Sequence, residues 1–153
     1  MNYIEIQYIY KANNLPDEQQ IQRWIDAALQ DYLTDTEIVV RIVDEQESAE
    51  LNQQYRHKSG PTNILSFPID LPEGIELYLL GDLVICAPVL EKEAVEQQKV
   101  LSDHWAHIII HGVLHLLGYD HIEDDEAEFM ENKEITILKT LTIANPYQQD
   151  NTA

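Results

Sequence analysis

Cysteine is almost missing from this sequence. Cys86 is the only one in 153 residues, so no disulfide can form within the chain, and a reducing compartment is expected. It lies in the apolar run LVICA and reads as a small buried hydrophobe rather than a nucleophile. Basic residues are scarce as well: nine stand against 28 acidic ones, for a formal net charge of -19. That balance argues against broad, sequence-independent nucleic-acid binding, which depends on phosphate neutralisation by Lys and Arg. A local basic site remains open. Long apolar runs are also lacking. The stretch around His111 is interrupted by histidines and is too short to span a bilayer, and MNYIEIQYIY at the start has no basic or continuously apolar leader region. The expectation is a cytoplasmic protein with no membrane attachment. No internal repeat and no low-complexity segment occurs, and 44% of residues are hydrophobic. One domain over residues 1–144 is therefore expected, followed by a flexible tail over 145–153.

Hydrophobic periodicity supplies the elements. Residues 3–10 and 36–43 alternate with period two and are rich in β-branched and aromatic side chains, so both read as strands. Between them Ile21, Trp24, Ile25, Ala28, Leu29 and Tyr32 fall on one helical stripe. A short polar helix over DEQESAELNQQYR is expected to pack through Ala49, Leu51 and Tyr55. A third strand, 63–69, ends at an edge because Pro68 cannot donate to a ladder. After the turn LPEG comes a fourth strand in LYLLGDLVICA. Pro88 opens a helix, Ser102-Asp103 starts another that ends at Gly118, and a last one runs from about 124 to 143 with Phe129, Met130, Ile135, Leu138 and Leu141 inward. Eight carboxylates, Asp120 and those from Glu123 to Glu134, read as a solvated helix face. The class is α+β, a mixed sheet of about four strands with about five helices.

The chemistry is concentrated in HGVLHLLGYDH, residues 111–121. Residues four apart on a helix differ by about 40° in direction and about 6 Å in height, so His111 and His115 can converge on one ion. Glycine at 118 lets the chain leave the helix and turn back without steric cost, which brings His121 round as a third ligand. Zinc held by three neutral imidazoles keeps an open position and its full charge. One Zn2+ per chain is expected, on an α+β scaffold with a zinc-hydrolase-like helix-turn site. Cys86 and Asp120 are nominal fourth ligands, and neither is compelling. His107 shares the face of His111 but would stand about 12 Å from His115, too far to share an ion. It is a candidate for contact with a ligand or substrate, or a packed core residue, while His104 is expected to cap or face solvent.

In zinc peptidases the residue after the first histidine is a glutamate that takes the proton from water. Here it is Gly112. Loss of such a proton carrier costs between about a hundred- and ten-thousandfold in rate, so peptide cleavage is disfavoured. A phosphodiester remains a suitable electrophile if a cation holds the phosphate. The one tight basic cluster is Arg56, His57 and Lys58, in YRHKSGPTNILSFP, where Arg56 could grip two phosphate oxygens or merely form a surface salt bridge to the acidic helix. Phe67 could stack on a base or sit in the core, and Asp82 could orient a histidine or end a strand.

HGVLHLLGYDH, YRHKSGPTNILSFP and GDLVICAP, in these relative positions, resemble the YbeY family of bacterial rRNA maturation factors, and the match covers nearly the whole chain. The resemblance implies a metal-dependent, single-strand-specific endoribonuclease with zinc on His111, His115 and His121. It further implies catalytic roles for Arg56 and His111, action on ribosomal RNA of the small subunit (16S 3′-end processing and ribosome quality control), and ribosomal or assembly proteins as partners. DNA is not an expected substrate. A metallopeptidase-like zinc hydrolase and a non-enzymatic ribosome assembly factor stand as the alternatives.

Overall fold

Four strands, β1 (Asn2–Tyr8), β2 (Thr36–Val43), β3 (Ile64–Pro68) and β4 (Leu79–Cys86), form one sheet of order β1-β2-β4-β3. The computed structural model describes residues 1–32, 35–69, 79–119 and 124–147. β1, β2 and β4 run parallel, and β3 closes the edge antiparallel to β4. The sheet is mixed, the domain is α+β, and Pro68 ends an edge strand as its missing N–H requires. The LPEG turn lies outside the described residues.

Five helices complete the fold: α1 (Glu18–Ala28), α2 (Glu45–Arg56), α3 (Ala87–Glu96), α4 (Leu101–Leu116) and α5 (Asp124–Thr140). α1 starts in a capping box, with Asp17 accepting from the Gln20 amide and Gln20 returning the bond, and buries Ile21, Trp24, Ile25 and Ala28 as its stripe predicts. Strand alternation divides the core in two. Ile38, Val40, Ile42, Leu83 and Ile85 face α1, α4 and α5, whereas Val43, Leu65 and Val84 face the α2 side with Leu51 and Phe67.

Two helices bury faces that differ from expectation. In α2 the buried residues are Ser48 and Asn52, not Ala49 or Tyr55, which is 56% exposed. Their partners are loop backbone: the Ser48 hydroxyl donates to Thr62 O and accepts from Thr62 N, and Asn52 Nδ2 donates to Gly60 O at 2.8 Å. Polar side chains go inward there because the loop after α2 brings its own unpaired backbone groups. In α5, Phe129 is 60% exposed, while Met130, Glu134, Ile137 and Leu138 are buried.

α4 is the helix around which the others pack. Over residues 104–116 every position is buried except His111 and His115. A helix apolar on nearly all sides belongs in the interior. This one is covered by β3 and β4 on one flank and by α1, α3 and α5 on the others, apart from the strip where these two imidazoles emerge. His104 is not a solvent-facing cap. It is 3% exposed, with Nε2 2.9 Å from the Glu93 carboxylate, because α3 packs over the first turn of α4. No helix among the described residues is long and apolar enough to cross a membrane.

Candidate metal centre

α4 ends where the sequence places its stop. Leu117 caps the helix and Gly118 follows at φ +98°. Gly118 N donates to His115 O and Tyr119 N to Leu114 O, both at 3.0 Å, which satisfies two terminal carbonyls as the chain leaves the axis. A Cβ at 118 would meet nothing within 4 Å, so the backbone angle and not crowding asks for glycine. His121, the expected third ligand, and Asp120 lie outside the described residues.

His111 and His115 converge. Their Nε2 atoms are 3.0 Å apart. Two nitrogens bound at about 2.0–2.1 Å to one tetrahedral ion would stand about 3.3 Å apart, so the pair is close to the edge of such a site. Among the described residues, no group of three or more His, Cys, Asp or Glu is placed to hold an ion. Cys86 is buried at the start of α3 and belongs to the core.

Behind the pair stands a carboxylate that the sequence reading left in the solvated acidic run. Glu134 of α5 is 0% exposed. Its Oε1 accepts a short hydrogen bond from His111 Nδ1, which leaves His111 Nε2 directed at His115. Its Oε2 accepts a short hydrogen bond from the Tyr147 hydroxyl and lies 3.6 Å from His107 Nε2. Burial pushes the Glu134 carboxyl up, but the close approach of His107 and the hydrogen bonds from His111 and Tyr147 outweigh it and hold the group down at about 2. Burial also lowers His107, against the pull of Glu134, and raises Tyr147, an effect that Glu134 reinforces. The signal was present in the sequence: position 134 falls on the stripe Met130, Ile137, Leu138, where a solvated carboxylate does not belong. Tyr147 belongs to the segment read as tail, and residues 148–153 lie outside the described residues.

The position of the missing peptidase glutamate is closely packed. Gly112 is buried against the sheet, and a Cβ built there would fall 2.5 Å from Ile64 Cδ1 and 2.9 Å from Leu83 Cδ2. The Ser66 hydroxyl donates to Gly112 O at 3.2 Å across the same contact. Position 112 faces β3 and β4, and a side chain there would have to push aside the ends of Ile64 and Leu83.

Along β3, Ile64 and Ser66 point toward α4, whereas Leu65 and Phe67 point toward α2. Phe67 packs edge-on against Tyr55 at 5.1 Å, and Arg56 follows immediately. One edge strand therefore separates the Arg56-His57-Lys58 cluster from the histidine helix. Arg56 is exposed and makes no hydrogen bond or ion pair with the described residues, so the salt bridge to the acidic helix is not formed there. His57 is the left-handed C-cap of α2, at φ +57°. Among the described residues Asp82 orients no histidine. It pairs with Phe67 in the ladder and alternates with Leu83, which places it on the sheet face away from α4.

Comparison with known proteins bears on this arrangement. The family model described as Endoribonuclease YbeY matches residues 5–142. Endoribonuclease YbeY of Methylococcus capsulatus is 57% identical over 135 residues, which span 88% of this chain and 89% of that protein. The solution structure of TM1509 from Thermotoga maritima superposes with a TM-score of 0.60 at 25% identity, covering 100% of this chain and 99% of the other.

Proposed function

The chain belongs to the YbeY family, and from that premise we propose that it is a metal-dependent endoribonuclease whose ion sits on His111, His115 and His121. The observation that carries this reading is the 3.0 Å approach of the two Nε2 atoms, with His111 anchored from behind by a buried carboxylate. A carboxylate on the far ring nitrogen is the usual support of a metal-binding imidazole, because it fixes the tautomer and aims the lone pair. Zinc in that place would supply Lewis-acid polarisation of a phosphoryl oxygen.

The chain's own residues do the rest. Arg56, exposed at the end of α2 and without a hydrogen bond or ion pair to the described residues, would hold two phosphate oxygens with its planar fork and offset the charge that grows on them. Glu134 keeps His111 Nδ1 bonded and its Nε2 turned toward His115, where an ion would be held. With Gly112 packed against β3, the peptidase alternative has no base next to the first histidine.

A net charge of -19 repels free RNA. Such a body needs a partner to present a single RNA strand, and kinship with the family points to ribosomal RNA on the small subunit, in the cytoplasm, with ribosomal or assembly proteins supplying the contact. Maturation of the 16S 3′ end and quality control of ribosomes are the roles that fit. The test is metal analysis of the purified protein followed by cleavage of single-stranded RNA. We expect about one zinc per chain, loss of cleavage on chelation and recovery on re-addition; cleavage unchanged after complete metal removal would refute the reading.

A further inference from the structure

We propose that Tyr147 is a positioning residue of the metal centre, acting through Glu134 to fix the orientation of His111. The inference rests on the metal reading above and extends it to the C-terminal segment.

The directions of the hydrogen bonds follow from the donors available. Glu134 as a carboxylate can only accept, so the single hydroxyl proton of Tyr147 goes to Oε2. Tyr147 Oη can then only accept, and His107 Nε2, 3.2 Å away, must be the nitrogen that carries hydrogen. In the neutral ring that leaves His107 Nδ1 bare, and this buried atom has no hydrogen-bond partner among the described residues. Oε1 of Glu134 remains for the Nδ1–H of His111. The chain of donors thus runs His107, Tyr147, Glu134, with His111 donating from the other side, and its outcome is a His111 ring held with its lone-pair nitrogen, Nε2, turned toward His115.

Tyr147 is the link nearest the surface. Its residue is 42% exposed, yet its hydroxyl reaches a carboxylate that is 0% exposed. The backbone is prepared for this: Tyr147 N donates to Asn145 Oδ1 at 2.8 Å, and Pro146 between them restricts the turn. The His107 and Tyr147 rings meet edge-on at 5.3 Å, which seats the phenol beside the histidine that donates to it. Without the hydroxyl, Oε2 keeps only the longer 3.6 Å approach of His107, and the carboxylate is free to swing away from His111.

The test is a double-mutant cycle on zinc affinity. Tyr147→Phe, Glu134→Gln and the double variant are compared with the parent by competition against a chromophoric chelator. The visible spectra of the cobalt-loaded proteins and the melting temperatures of the metal-free ones are recorded alongside. Loss of a partner behind a ligand weakens metal binding by about 10- to 100-fold, which we expect for Glu134→Gln, with a loss of about 3- to 10-fold for Tyr147→Phe. Because Tyr147 acts through Glu134, the double variant should bind no more weakly than Glu134→Gln alone. The cobalt bands should shift in Tyr147→Phe while its metal-free melting temperature stays with the parent. Parental zinc affinity in Tyr147→Phe, or losses that multiply in the double variant, would overturn the proposal with the metal centre intact. A parent that binds no zinc would remove the centre itself.

Discussion

Gly112 of α4 and Ile64 of β3 touch with no space between them, since a Cβ on Gly112 would lie 2.5 Å from Ile64 Cδ1. The histidine helix is seated on the edge strand through this contact. A longer side chain at 112, such as the peptidase glutamate, would have to displace the ends of Ile64 and Leu83.

Gly112→Ala should therefore destabilise the protein by about 1 kcal/mol, the low end for overpacking a filled interior, because the atoms it meets are side-chain ends that can turn. Gly112→Glu should be worse, because it adds a buried charge to the same crowding, and it should not create peptidase activity. Urea unfolding of the metal-free variants measures the first effect. An alanine variant as stable as the parent would mean that α4 can lift from β3 at little cost.

Arg56 should separate chemistry from folding. It is exposed and makes no hydrogen bond or ion pair with the described residues, so Arg56→Ala should leave the melting temperature and zinc content unchanged. RNA cleavage should fall by about a hundred- to a thousandfold, the range for losing one group that stabilises transition-state charge. Arg56→Lys should recover only part of this, since an ammonium cannot grip two oxygens in a plane. Full activity in Arg56→Ala would assign the phosphate to another residue.

Glu134 predicts an acid-dependent stability. Its folded-state value, about 2, lies below the ordinary 4.5, so its stabilisation is present above pH 4.5 and drains away as pH falls from there toward 2. The donors around the carboxylate outweigh its burial, and their net contribution is on the order of 3 kcal/mol at neutral pH. In metal-free protein the stability advantage of the parent over Glu134→Gln should be widest above pH 4.5 and should shrink through the acid range. A difference that stays constant between pH 6 and pH 3 would contradict the depressed value.

The elements that alternate or repeat cleanly were legible in the sequence. β2 was bounded correctly by its period of two, and the stripe from Ile21 to Ala28 is the buried face of α1. The glycine that ends α4 was readable because only its backbone angle matters there. Apolar patterning failed where polar groups go inside with partners distant in sequence. Ser48 and Asn52 are buried because the loop at 60–62 offers them backbone groups. His104 is buried because Glu93 of α3 meets it. Glu134 was hidden by its neighbours, seven carboxylates that make an acidic run look uniformly solvated, and Tyr147 by its place near the end of the chain. Such pairings depend on which helix crosses α4, and composition does not encode that crossing.

The central claim is that three imidazoles bind one zinc ion and leave a coordination position open. X-ray absorption at the zinc edge of the purified protein reads the coordination directly. The account predicts three imidazole nitrogens at about 2.0–2.1 Å, with one further light atom supplied by solvent. Sulfur at about 2.3 Å, or a fourth imidazole closing the shell, would contradict it.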